Sequence, residues 1–253
     1  MRSLILLCAF FSSLALADTR AVYEQDVEPR RLVFEIADNG DFRAGAPDAR
    51  QYRLVLAGQS YQVAELDGRV LVARLADIED ALRSTPNGAG RGILRALTAL
   101  AASTPQRIVY NGPIEINGWK GGVFNIRGAE WEFDRHGAIR DPDGAPYYVL
   151  SREPSLRQIG PALSTFTLGE LAFGRHLMAD SAVRMVVDTE AQLAAQGTLV
   201  ESSENGLQLV SAEQVRIDPA RLALPAPPLS RESVLALVKE GRSPFKQLLP
   251  SSF

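Results

Sequence analysis

The chain has 253 residues, is 46% apolar and 23% charged, and carries a formal net charge of −3. Those values exclude a disordered or low-complexity chain, and the scattered charges offer no basic stripe for nucleic acid. A single cysteine, Cys8, excludes a disulfide framework.

The first residues point to a compartment. Met1-Arg2-Ser3 is a short basic start, Leu4 to Leu16 is almost wholly apolar, and Ala15-Leu16-Ala17 is a small-x-small site followed by Asp18. This pattern predicts a secretory signal peptide over residues 1–17, cleaved between Ala17 and Asp18, and a periplasmic or secreted mature protein. The apolar run is too short to cross a bilayer comfortably, and no later run is longer, so no transmembrane segment is expected after cleavage. Cleavage removes Cys8 and leaves no thiol for a disulfide, a metal or a nucleophile.

Asp18 to Glu28 is polar and reads as a loose lead-in. Arg31 to Ile36 predicts a first strand, Asp38-Asn39-Gly40-Asp41 a turn, and Gly45 to Asp48 a loop. The clearest β signal follows. Tyr52 to Leu56, Tyr61 to Leu66 and Arg69 to Ala73 are short apolar-alternating runs, and Asp67-Gly68 between the last two is a two-residue hairpin turn. A three-stranded meander is expected.

Helix comes next. Leu75, Ile78, Ala81 and Leu82 recur at helical spacing, Thr85-Pro86-Asn87-Gly88 breaks the pattern, and Gly92 to Ala102 predicts a second helix with a stripe of Ile93, Leu94, Leu97 and Leu100. Thr104-Pro105 ends it. A strand over Arg107 to Tyr110 then leads into a hairpin turned by Asn117-Gly118. That turn sets Ile116 opposite Trp119 and Glu115 opposite Lys120. Phe124 and Ile126 fall on the other face from Trp119, so a β-bulge at Gly121-Gly122 is expected to bring them together.

Trp131-Glu132-Phe133 continues the sheet, His136 sits in a turn, and Asp141-Pro142-Asp143-Gly144 makes another. Tyr147 to Leu150 reads as a strand and Pro154 to Met178 as helix, with Pro161 in a first turn. Ala182 to Val187 reads as a strand, and Glu190 to Gln196 fits either class. Gly197 to Glu201 and Leu207 to Val210 flank the turn Glu204-Asn205-Gly206, and Gln214 to Ile217 follows. Pro225 to Pro228 reads as a stiff linker. Ser230 caps a short helix that ends at Gly241, and the tail from Arg242 is expected to be loosely held.

The pattern predicts an α+β fold, mostly antiparallel β: a curved sheet or half-barrel enclosing, or packed by, a few helices. Residues 18–228 form one β-rich domain, and 229–253 a C-terminal helix and tail.

Chemical motifs are sparse. Neither His136 nor His176 has a neighbour at metal-ligand spacing. Gly58-Gln59-Ser60-Tyr61-Gln62 lacks the second glycine of a nucleophile elbow. A hydrolase would need an acid and His136 or His176 to converge on a serine. Asp141 and Asp143 lack the glutamate that would complete a calcium loop and fit turn chemistry instead. No glycine-rich loop opens a helix, so no nucleotide site is expected. No catalytic residue, metal or cofactor is assigned. Phe34, Trp119, Phe124, Trp131, Phe133 and Tyr147 are the remaining candidates. They either pack one side of the sheet as core or line an incompletely filled concave face that meets an apolar ligand.

The leader, the meander over Tyr52 to Ala73, the hairpin Asn117 to Phe124, the helical stretch Leu156 to Leu171, the late strands and Leu222-Ala223-Leu224-Pro225 together resemble the LolA/LppX-like periplasmic group. The resemblance spans Arg31 to Pro225 and does not include the helix from Ser230. It implies a curved antiparallel sheet wrapped around helices, and some members of that group hold lipoprotein acyl chains or other lipids. The leading expectation is a non-enzymatic exported protein that binds an apolar or lipid-like ligand. The alternative is an envelope protein that meets a protein partner through an edge strand or the C-terminal tail.

Overall fold

A computed structural model of the chain describes residues 17–26, 28, 30–47, 49–85, 90–103, 106–127, 147–204, 206–246 and 248. The expected leader, Trp131, Phe133, His136 and the Asp141–Asp143 turn lie outside the described residues.

The described strands form a single antiparallel sheet. They are β1 (Asp18–Glu24), β2 (Arg31–Ile36), β3 (Phe42–Gly45), β4 (Tyr52–Leu56), β5 (Gln59–Leu66), β6 (Arg69–Arg74), β7 (Arg107–Ile116), β8 (Trp119–Arg127), β9 (Tyr147–Ser151), β10 (Thr198–Ser202) and β11 (Leu207–Val215). Across the sheet the order is β6-β5-β4-β3-β2-β1-β11-β10-β9-β8-β7, so β6 and β7 are its open edges. The helices are α1 (Leu75–Ser84), α2 (Gly90–Ala101), α3 (Ile159–Gly174), α4 (Asp180–Gln196) and α5 (Arg231–Lys239).

The sheet curves around α3. Ile159, Leu163 and Phe166 of that helix share one core with Phe42 and Val55 on one side of β1 and with Val149 and Val200 on the other. A flat sheet could not bring strands so far apart in order onto one helix. Phe34 sits at the centre, edge-on to Phe166 at 5.3 Å and to Tyr23 at 5.8 Å.

One buried charge ties the layers. Arg53 of β4 is 0% exposed. Its guanidinium donates to the Phe166 carbonyl at 2.9 Å and to Gln62 Oε1 at 3.1 Å, and it pairs with Glu170 Oε1 at 2.7 Å. Glu170 Oε2 in turn accepts the Leu248 N–H at 2.8 Å. Burial pulls the Arg53 pKa down, and the Glu170 carboxylate opposes that. Gly169 must be glycine here, because a Cβ would lie 2.4 Å from Arg53 Nη1.

The hairpins stand where period-2 runs and their turns set them. Asp67-Gly68 and Asn117-Gly118 both adopt positive φ, and Ile116 pairs with Trp119 and Glu115 with Lys120. Four expectations change. Asp18 to Glu24 is no lead-in but β1, paired with β2 and β11. Its inward residues Thr19, Ala21 and Tyr23 are too mixed in polarity to read as a strand face, and Thr19 is buried against Gln158 and Gln214. Ala182 to Val187 is helix within α4. Its valines favour a strand locally, but Ala182, Val183 and Leu193 fall on one helical face that is buried. Phe42 to Ala44, unassigned between the expected turn and loop, form the short strand β3 together with Gly45, the first residue of that loop. The described part of the tail is held, since Phe245 and Leu248 are both buried.

The expected bulge is also on the other strand. Pairing runs unbroken through Gly121 and Gly122, and the register shifts instead between Tyr110 and Gly112, where Gly112 has φ +127. The two β8 glycines answer to crowding. A Cβ on Gly121 would lie 2.7 Å from the Leu150 carbonyl oxygen, and one on Gly122 2.6 Å from the Tyr110 ring.

Candidate functional site

Where α3 leaves the sheet, a cleft of about 500 Å³ opens between the β4–β5 turn, α1, α3 and α4. Each wall follows from local sequence. Ala57-Gly58 turns β4 into β5 with positive φ at both residues and leaves Gln59 and Ser60 at the mouth. β6 runs directly into α1, so Leu75 points inward where strand becomes helix. On α3, Leu168, Leu171 and Ala172 present one face, which Arg175 continues just past the helix end. Val183 and Val187, four apart on α4, form the far wall.

The floor is apolar and the rim is charged. Gly169 lets the cleft reach the α3 backbone directly above the Arg53 guanidinium. At the rim, Glu79 pairs with Arg83 at 2.5 Å and with Arg175 at 3.6 Å, which neutralises it. Arg74, exposed on the same rim, leaves a net positive edge. This arrangement can hold an apolar chain below an acidic or polar head. Among the described residues, no histidine and no candidate aromatic lines the cleft.

The described aromatic candidates, Phe34, Trp119, Phe124 and Tyr147, do not meet in one place. Phe34 is fully buried in the core around α3. Trp119 is half-buried and packs on that same core from the β7–β8 hairpin. The tip of this hairpin reaches across the sheet, where Asn117 Nδ2 donates to the Leu209 carbonyl at 3.0 Å. Phe124 faces the other way, tilted against the Tyr110 ring at 5.3 Å and packed with Tyr148, Leu150 and Leu193. Tyr147 is exposed, and its hydroxyl donates to Glu201 Oε1 at 2.6 Å, which raises the phenol pKa. The concave face expected to hold ligand is filled by α3. One open cleft lies at the end of that helix, and another of about 640 Å³ lies between the β5–β6 hairpin and α5.

No protein family's model matches the chain, and no curated protein sequence matches it. Among solved structures, the crystal structure of MucB matches at 11% identity with a TM-score of 0.29, over 84% of this chain and 58% of that one. The chain thus aligns with little more than half of the MucB chain.

Residue reading missed the cleft. Its walls come from four elements distant in sequence, and two of its residues, Val183 and Val187, lie in the segment read as a strand. The three-and-four spacing of Ala182, Val183, Val186 and Val187 was the signal that could have revealed a helical wall.

Proposed function

We propose that this is an exported, non-enzymatic binding protein that holds an apolar or lipid-like ligand in the cleft between α1, α3 and α4. The observation that carries the reading is the cleft itself: an apolar floor of Leu75, Leu168, Leu171 and Val183 beneath an arginine-bearing rim. Export rests on the Met1–Ala17 sequence pattern. Membership of the LolA/LppX-like group belongs to the same proposal, supported by one open antiparallel sheet curved around a helix.

A direct test is displacement of a fluorescent fatty acid from the purified mature protein. The wild type is expected to bind it. Val187→Asp, which places a charge on a partly exposed wall, is expected to weaken binding by about tenfold or more. Equal binding by both proteins, or none by the wild type, would remove the cleft as the site.

The second reading, a protein partner, is favoured at one place only. β7 is an open edge strand that carries exposed Tyr110 and Ile114. The C-terminal tail supports it less, because its described apolar residues Phe245 and Leu248 are already committed to the core.

A further inference from the structure

Helix α2 is mounted inside out. The side that touches the body is small and polar: Thr98 Oγ1 accepts the Ala179 N–H at 3.0 Å, Ala102 packs beside Met178 and Val183, and Arg95 lies 3.9 Å from Asp180. Ile93, Leu97 and Leu100 lie away from that side, with Leu94 at the border between them, and they are 63%, 54%, 70% and 44% exposed in that order. A helix on a water-soluble body ordinarily turns its apolar stripe inward.

Arg95 faces Asp180 and Arg83 is paired with Glu79, but the segment that carries this helix is itself basic. From Ala81 to Ile114 the sequence contains Arg83, Arg91, Arg95 and Arg107 and neither Asp nor Glu, in a chain whose net charge is −3. An outward apolar stripe backed by arginines is the composition of a helix that lies in a bilayer interface. Anionic headgroups attract such arginines within a Debye length of about 10 Å, the thickness of one helix. Size argues against an ordinary protein partner. Four side chains on a helix about 18 Å long offer a few hundred Å², short of the ~800 Å² per partner that a stable interface buries.

We infer that α2 is a membrane-docking helix that lays Ile93, Leu94, Leu97 and Leu100 into the surface of a bilayer bearing anionic phospholipid headgroups. The stripe enters the acyl boundary and the arginines of the segment hold the headgroups. The inference is independent of the cleft, since none of these four residues lines it.

The test is co-sedimentation of the mature protein with phosphatidylcholine vesicles made with and without phosphatidylglycerol. The wild type is expected to pellet with the anionic vesicles, to be released by added salt, and to lose about tenfold or more of its binding in the Leu97→Glu, Leu100→Glu double variant. Both positions are exposed, so the variant is expected to keep the wild-type unfolding midpoint. Failure of the wild type to bind either vesicle overturns the inference. So do equal binding to neutral vesicles and unchanged binding by the double variant. A wild-type dimer that the double variant converts to monomer also overturns it, by assigning the stripe to a second copy of the chain.

Discussion

The two wings of the sheet are built from similar alternating sequence and end up in different environments. In β2, every residue from Leu32 to Ile36 is buried. In β7, which is longer, no residue is fully buried, and the described residues of β8 are at best half-buried. The difference lies in what covers them. The β1–β6 wing curls over α3 and is closed at its edge by α1, α5 and the tail. On its outer face, Leu224 and Ala226 pack over Leu54 and Val63. Among the described residues, the β7–β8 wing has the hairpin tip over the core and Leu193 of α4 beneath. An alternating strand becomes core only where a second layer is available to meet it.

The sharpest way to break this contrast is at Arg53. Arg53→Met leaves Glu170 buried without its cation and is expected to destabilise by about 3–5 kcal/mol. The added variant Glu170→Leu should recover much of that loss, read as the urea midpoint. Phe166→Ala, which empties the centre of the packed wing, is expected to cost about 3–5 kcal/mol. Gly121→Ala tests the thin wing at its tightest point, against the Leu150 carbonyl, with an expected loss of about 1–3 kcal/mol. If Gly121→Ala proved as costly as Phe166→Ala, the two wings would be equally consolidated and the contrast would fail.

A smaller effect depends on pH. Glu190 of α4 is held between helices; burial raises its pKa, and a hydrogen bond with Ser164 opposes the rise. The folded state therefore binds this proton more tightly than the unfolded chain. The contribution is present in full below the ordinary carboxylate range and is lost as pH rises through the raised folded value. Glu190→Gln is expected to match the wild type near about pH 4 and to exceed its stability at neutral pH. A variant less stable than wild type at neutral pH would show that the carboxylate is stabilised in place. Smallest of all, Leu97→Glu on the outward face of α2 is expected to change stability by less than about 0.5 kcal/mol. A larger loss would place that stripe in the core.

The same contrast explains what could be read from residues alone. The meander and the Asn117-Gly118 hairpin were legible because their turns demand positive φ and their strands alternate cleanly. β1 was not, because its burial of Thr19 depends on Gln158 and Gln214, which are remote in sequence. α4 was not, because local valine content outweighed a helical spacing that only packing on α3 makes decisive. The stripe of α2 was legible as a helix face, but nothing in the sequence said that it would point outward. The aromatics drew attention as chemically conspicuous residues, yet the cleft is walled by leucine, valine, alanine and glycine. Those residue types carry no signal until the fold assembles them.

The most direct test of the binding role is native mass spectrometry of the mature protein, purified without detergent from the cells that make it, alongside Val187→Asp. The cleft reading predicts a wild-type population carrying one extra mass of lipid or fatty-acid size that the variant lacks. The bare polypeptide mass in both samples, or the same adduct on both, would contradict it.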